Sequence, residues 1–175
     1  MELSVLAEKR RSIRKYTNER ISKETLEEII SFAQKAPSWK NSQTGRYYVA
    51  LSDEAISAVY EALPEFNRRS SQGAAYIVSS FKRGLSGGLK ENEMSKEGDL
   101  WGSYDLGLQN CYLLLKAAEL GYDTLIMGIR DDEALRAYFE IPEDEIILPV
   151  IAIGKRDIEP NRMIRKDLAE VLKVR

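Results

Sequence analysis

Leu26, Ile29, Ile30 and Ala33 recur at the spacing of one helical face, which predicts an amphipathic helix. Ser22 is placed to cap it, and Glu24 to meet its positive end. The helix should stop before Pro37, whose ring and missing N–H bar continuation. A long turn-like segment follows, Ala36-Pro37-Ser38-Trp39-Lys40-Asn41-Ser42-Gln43-Thr44-Gly45, and leads into a β-rich run at 47–51. Ile56, Val59, Tyr60 and Leu63 mark a second, shorter amphipathic helix ending at Pro64, and 75–81 reads as the next strand. Between them, Phe66-Asn67-Arg68-Arg69-Ser70-Ser71 reads as a polar stretch. Residues 83–98 carry Gly84, Gly87, Gly88 and Gly98 among mixed charges, the composition of a mobile surface loop and the best candidate for a lid.

From Asp99 to Gly121 the pattern predicts a long helix, apolar on most sides in its second half, that is central or lies at a subunit interface. Strand-like runs at 124–127 and 146–153 flank a short helix around 133–139 and a turn at Pro142. After Gly154 the tail is polar, with Leu168, Val171 and Leu172 as its sizeable apolar anchors. The elements neither repeat nor alternate as regular βαβ units, which favours an α+β fold over a doubly wound parallel sheet. No internal boundary divides residues 1–175, so one domain is expected. No Gly-rich dinucleotide fingerprint or P-loop opens a helix, which argues against a Rossmann site or a Walker-type NTPase.

Composition narrows the chemistry. Apolar residues are 43% of the chain and charged residues 31%, with no apolar span long enough to cross a membrane. A net charge of −2 gives no global attraction to nucleic acid or anionic lipid, so anions must be met by local clusters. The single cysteine, Cys111, allows no intrachain disulfide, and the absence of an apolar secretory segment makes a cytoplasmic protein the expectation. With no histidine, Ser-His and Cys-His pairs and the commonest zinc ligands are excluded, leaving an organic cofactor as the source of demanding chemistry.

Three constellations stand out. Lys9-Arg10-Arg11-Ser12-Ile13-Arg14-Lys15-Tyr16 crowds guanidinium groups and a hydroxyl that match a phosphate monoester. Taken alone, the same run also fits a solvated basic patch, or a nucleic-acid contact, although it lacks interleaved aromatics. The second is Ala36-Pro37-Ser38-Trp39-Lys40-Asn41-Ser42-Gln43, and the third is Asn161-Arg162-Met163-Ile164-Arg165-Lys166-Asp167-Leu168 after the final strand. In this order and spacing, R-R-S-x-R, A-P-S-x-x-N-S-Q and the closing basic motif resemble the FMN-dependent nitroreductase family over nearly the whole chain.

The resemblance implies a central, mainly antiparallel sheet flanked by helices, and a C-terminal extension wrapping the partner of a homodimer. It further implies that Arg10, Arg11, Ser12, Arg14 and Arg165 surround the FMN phosphate. Pro37, Ser38, Trp39 and Asn41 would reach the isoalloxazine from the partner subunit, while Asn67 and the amide at Met127-Gly128 would bond it from their own subunit. Reduced nicotinamide, NADH or NADPH, would deliver a hydride to the flavin, and a nitroaromatic, quinone or related electron-poor substrate would then collect it in ping-pong fashion. A flavin-storing or redox-sensing module and a reductase or dehydrogenase of one metabolite are the alternatives. Departures exist: Thr44-Gly45 replaces the frequent P-W, Met127 stands where some members carry glutamate, and Ser70 and Met163 where some carry lysine. Trp101 and Tyr104 are expected in the core or an interface, and Cys111 as a buried small hydrophobe. Trp39, a large aromatic in a polar loop, needs something to pack against.

Overall fold

The computed structural model describes residues 2–90 and 93–175. In chain order the elements are α1 (Leu3–Lys9), α2 (Lys23–Ala33), a 3-10 turn (Trp39–Asn41), β1 (Gly45–Ala50), α3 (Asp53–Glu61), α4 (Glu65–Ser71) and β2 (Ala75–Lys82). There follow β3 (Gly88–Lys90), β4 (Glu93–Met94), α5 (Leu100–Glu119), β5 (Asp123–Met127), α6 (Asp132–Phe139), β6 (Glu145–Gly154) and α7 (Leu168–Val171). The cap foreseen in the sequence is made: Ser22 Oγ accepts the Thr25 N–H at 3.2 Å, starting α2. Ser52 and Asp131 do the same for α3 and α6, accepting from Ala55 and Ala134.

Four strands form one sheet in the order β1-β2-β6-β5, and every neighbouring pair is antiparallel. This is the α+β architecture expected. The two inner strands are buried on both faces, which explains their nearly continuous apolar runs. Tyr76, Val78, Val150 and Ala152 point to one layer with Val59 of α3 and Leu135 of α6. Ile77, Ile151 and Ile153 point to the other, against Ile29 of α2 and Leu113 and Ala117 of α5. Among the described residues, no helix is long and apolar enough to cross a membrane.

Three segments differ from their sequence pattern. The stretch read as polar from Phe66 to Ser71 is helical, in α4; its buried residues are Asn67 and Ser71, so it lacks an apolar period. Helix α1 buries Leu6 alone and leaves no periodic signal. The lid candidate at 83–98 contains the β3–β4 hairpin, with residues 91 and 92 of that expectation lying outside the described residues.

One close approach fixes how α5 sits on the sheet. A Cβ on Gly102 would lie 2.3 Å from the ring of Phe81 in β2. Alanine normally favours a helix over glycine by roughly 0.5–1 kcal/mol, whereas overpacking a filled core costs about 1–3 kcal/mol. Gly102→Ala is therefore expected to destabilise by about 1–2 kcal/mol, read as a lower urea midpoint with unchanged slope.

Burial shifts tyrosines in one direction. Tyr16, Tyr47 and Tyr76 are pushed above the ordinary phenol value by burial, and Tyr48 is pushed up to about 12 by burial and by its hydrogen bond to Glu145. A folded-state value above the unfolded one, near 10, favours the neutral phenol in the folded protein. Stability is then full below about pH 10 and is lost as pH rises from there toward 12. The expected result is a thermal midpoint that falls steeply above about pH 10, together with a share of the phenolate absorbance, that of these four tyrosines, which appears only as the protein unfolds. A midpoint level through pH 11.5 would contradict it.

The chain before α2 closes the sheet edge. Ser12 forms a parallel bridge to Thr124 of β5, the Ile13 N–H bonds the Thr124 carbonyl at 3.1 Å, and Thr17 N–H bonds the Lys155 carbonyl at 2.9 Å. The return is fixed by Asp157 N–H on the Lys15 carbonyl at 2.9 Å and by Arg156, which pairs with Asp123 at 2.6 Å. The first and third constellations are thereby brought side by side.

Candidate active site

Strand alternation along 12–14 buries Ile13 and leaves Ser12 and Arg14 outward. Beside them the chain leaving β6 carries Arg165, and the two segments border a pair of adjoining clefts. One cleft, about 510 Å³, is lined by Arg10, Arg11, Ser12, Arg14, Met163 and Arg165. The other, about 600 Å³, shares Arg10, Ser12 and Arg165 and runs on past Asn110, Ile126 and Pro149. Both lie in the size range of small-molecule sites.

The electrostatics are one-sided. Among the described residues, none of Arg10, Arg11, Arg14 and Arg165 pairs with a carboxylate, whereas the adjacent Arg162 is held by Glu8 at 3.3 Å. Arg11 Nε is buried with no partner. Several guanidinium groups around one cavity repel one another, and a bound anion would offset that repulsion. A phosphate monoester fits this donor set.

The larger cleft is floored by one stripe of α5, Ser103, Gly107, Cys111 and Leu114, at helical spacing, and by Leu148 and Pro149 of β6. Cys111 is exposed here, contrary to the expectation of burial, because it and Gly107 lie on the side of the helix that faces the cleft. Asn110 is 5% exposed and donates to Ser79 Oγ at 3.3 Å, while its Oδ1 has no partner. Neither Asn110 nor Ser103 stood out in the sequence. The available signal was a polar residue inside an otherwise apolar run.

The remaining sequence candidates lie outside these two cleft linings. Asn67 is buried in α4 and donates to the Ile129 carbonyl at 3.0 Å, tying down the turn after β5. Met127 is 2% exposed in the core, and the exposed Gly128 beyond it accepts at its carbonyl from Arg130. Pro37, Ser38, Trp39 and Asn41 form a separate turn at the start of α5, where Trp39 packs on Trp101 with ring centroids 4.7 Å apart. Tyr104, expected in the core or an interface, meets the Trp101 ring edge-on and is 59% exposed in the chain.

Fold and clefts together define an α+β domain with an arginine-lined cleft. The Nitroreductase family model matches residues 7–155, and the chain belongs to the Nitroreductase family. It is 29% identical over 154 residues to the Archaeoglobus fulgidus protein named "Putative NADH dehydrogenase/NAD(P)H nitroreductase", a match covering 83% of this chain and 80% of the relative. It is 28% identical to the Bacillus subtilis "Putative NAD(P)H nitroreductase YodC", over 93% of each. A crystal structure described as a "putative nitroreductase in complex with FMN" from Exiguobacterium sibiricum superposes with a TM-score of 0.81 at 24% identity. That match covers 100% of this chain and 98% of the other, and shows the shared fold.

Proposed function

We propose that this protein is an NAD(P)H-dependent FMN oxidoreductase, working as a homodimer that reduces nitroaromatic, quinone or related electron-poor substrates. The observation that carries the proposal is the uncompensated arginine cradle opening into the larger cleft. Arg10, Arg11, Arg14 and Arg165 would neutralise the FMN phosphate, and Ser12 would add an uncharged donor. Ile126, Leu148 and Pro149 would wall the adjoining cleft and exclude water. Asn67 retains one amide hydrogen and its carbonyl for the flavin edge, alongside the Gly128 N–H. Pro37, Ser38, Trp39 and Asn41 would complete the site from the partner subunit. FMN would supply the two-electron chemistry that the side chains of this protein do not, with nicotinamide and oxidant occupying the same space in turn.

The visible spectrum of the purified protein tests this. A yellow protein bleached by NADH or NADPH without oxygen, and recoloured by a quinone, is the expected result. A yellow protein that neither nucleotide bleaches would make it a flavin-storing or sensing module. A colourless protein that takes up no added FMN would end the proposal.

A further inference from the structure

Asp105 is a carboxylate only 2% exposed, in the first half of α5. Its Oδ2 accepts the backbone N–H of Trp39 at 2.9 Å and also the hydroxyl of Ser86. One buried anion therefore holds two segments that are distant in sequence: the turn after α2 and the segment leading into β3. Charged acceptors form the stronger hydrogen bonds, and burial strengthens them further.

The turn that Asp105 holds is unusual in its backbone. Lys40, Asn41 and Gln43 have φ of 46°, 58° and 49°, a left-handed conformation that side chains other than glycine rarely adopt. Such residues persist in a group only when their surroundings over-determine them. Here Ser38 Oγ accepts the Gln43 N–H at 3.0 Å, and Trp39 Nε1 donates to the Gly88 carbonyl at 3.2 Å. Asp105 anchors both ends of this arrangement to the central helix, because Ser86 and Gly88 belong to the same segment.

We propose that Asp105 is a positioning residue that sets the 37–43 turn in its strained shape and couples it to the 84–90 segment, so that the two move together. The inference rests on the flavoprotein proposal, in which that turn faces the partner subunit's flavin. Residues that never touch the cofactor thereby control how its face is presented.

The Trp39–Trp101 pair supplies a readout independent of flavin, since two indoles at 4.7 Å give an exciton signal in circular dichroism. Asp105→Ala is expected to abolish that signal in a folded dimer and to weaken FMN binding or slow flavin reduction by about tenfold or more. Asp105→Asn keeps an acceptor without the charge, so it should weaken the signal without abolishing it and lose about threefold in FMN affinity or reduction rate. If the alanine variant does not fold, the asparagine variant and Ser86→Ala carry the test, each with a weakened signal and a matching flavin deficit. A wild-type protein that binds no FMN ends the flavoprotein proposal itself. A wild-type protein that binds FMN, beside variants with unchanged indole signal or with wild-type flavin affinity and reduction, overturns only the role of Asp105.

Discussion

Replacing Arg10 or Arg165 by alanine is expected to weaken FMN binding by about 10- to 150-fold each, with little change in riboflavin affinity. The range follows from roughly 1.5–3 kcal/mol for a hydrogen bond to a charged group. Both residues border both clefts, and neither pairs with a carboxylate among the described residues, so their charge is available to a phosphate. Riboflavin lacks the phosphate and serves as the control, measured by flavin fluorescence titration of the apoprotein. Equal losses for both ligands would indicate general unfolding. No loss for either would reduce the cradle to a solvated basic patch.

Deleting residues 158–175 is expected to convert a dimer into a monomer and to abolish FMN retention, as read by light scattering and the absorbance of the eluted protein. Along this tail Met163 is 75% exposed, Ile164 96%, Val171 69% and Val174 85%, although all are apolar. Each such side chain contributes roughly 1.5–3 kcal/mol when fully buried, and a single copy of the chain buries none of these four. A second copy whose surface the tail crosses would cover them, as the proposed homodimer requires. A full-length protein that is monomeric at micromolar concentration while carrying FMN would remove this claim. Arg165→Ala separates the two roles of the tail, since it should lose FMN affinity and remain dimeric.

The strands were legible because burial on both faces of β2 and β6 demands continuous apolar runs, and α2 because Ser22 and its apolar period agree. Helix α4 was not, since Asn67 and Ser71 are its buried positions and polarity conceals periodicity. The exposure of Cys111 has a similar origin: α5 is apolar on most sides in its second half, so composition alone does not tell a sheet-facing residue from one facing a cleft. For the site, the residue types of the basic motif indicated an anion, but nothing local indicated that Arg165 returns to Arg10. That convergence is produced by the Ser12–Thr124 bridge and the Arg156–Asp123 pair, which only the tertiary structure supplies. Asp105 was silent because an acid inside a helix is ordinarily solvated, and its partners lie in segments far along the chain.

The pairing of residues 12–17 with β5 and with the chain beyond β6 also governs when the arginine-lined cleft comes into being. On the ribosome the basic segment emerges before any strand, while the edge that receives it is synthesised near the end. Nascent chains therefore carry their arginines as dispersed charges, without the geometry that grips a phosphate. Ligand capture becomes a late event, confined to molecules whose sheet has already assembled. In refolding, a ligand that binds only the assembled sheet should leave the early phases unaltered and slow the reverse reaction.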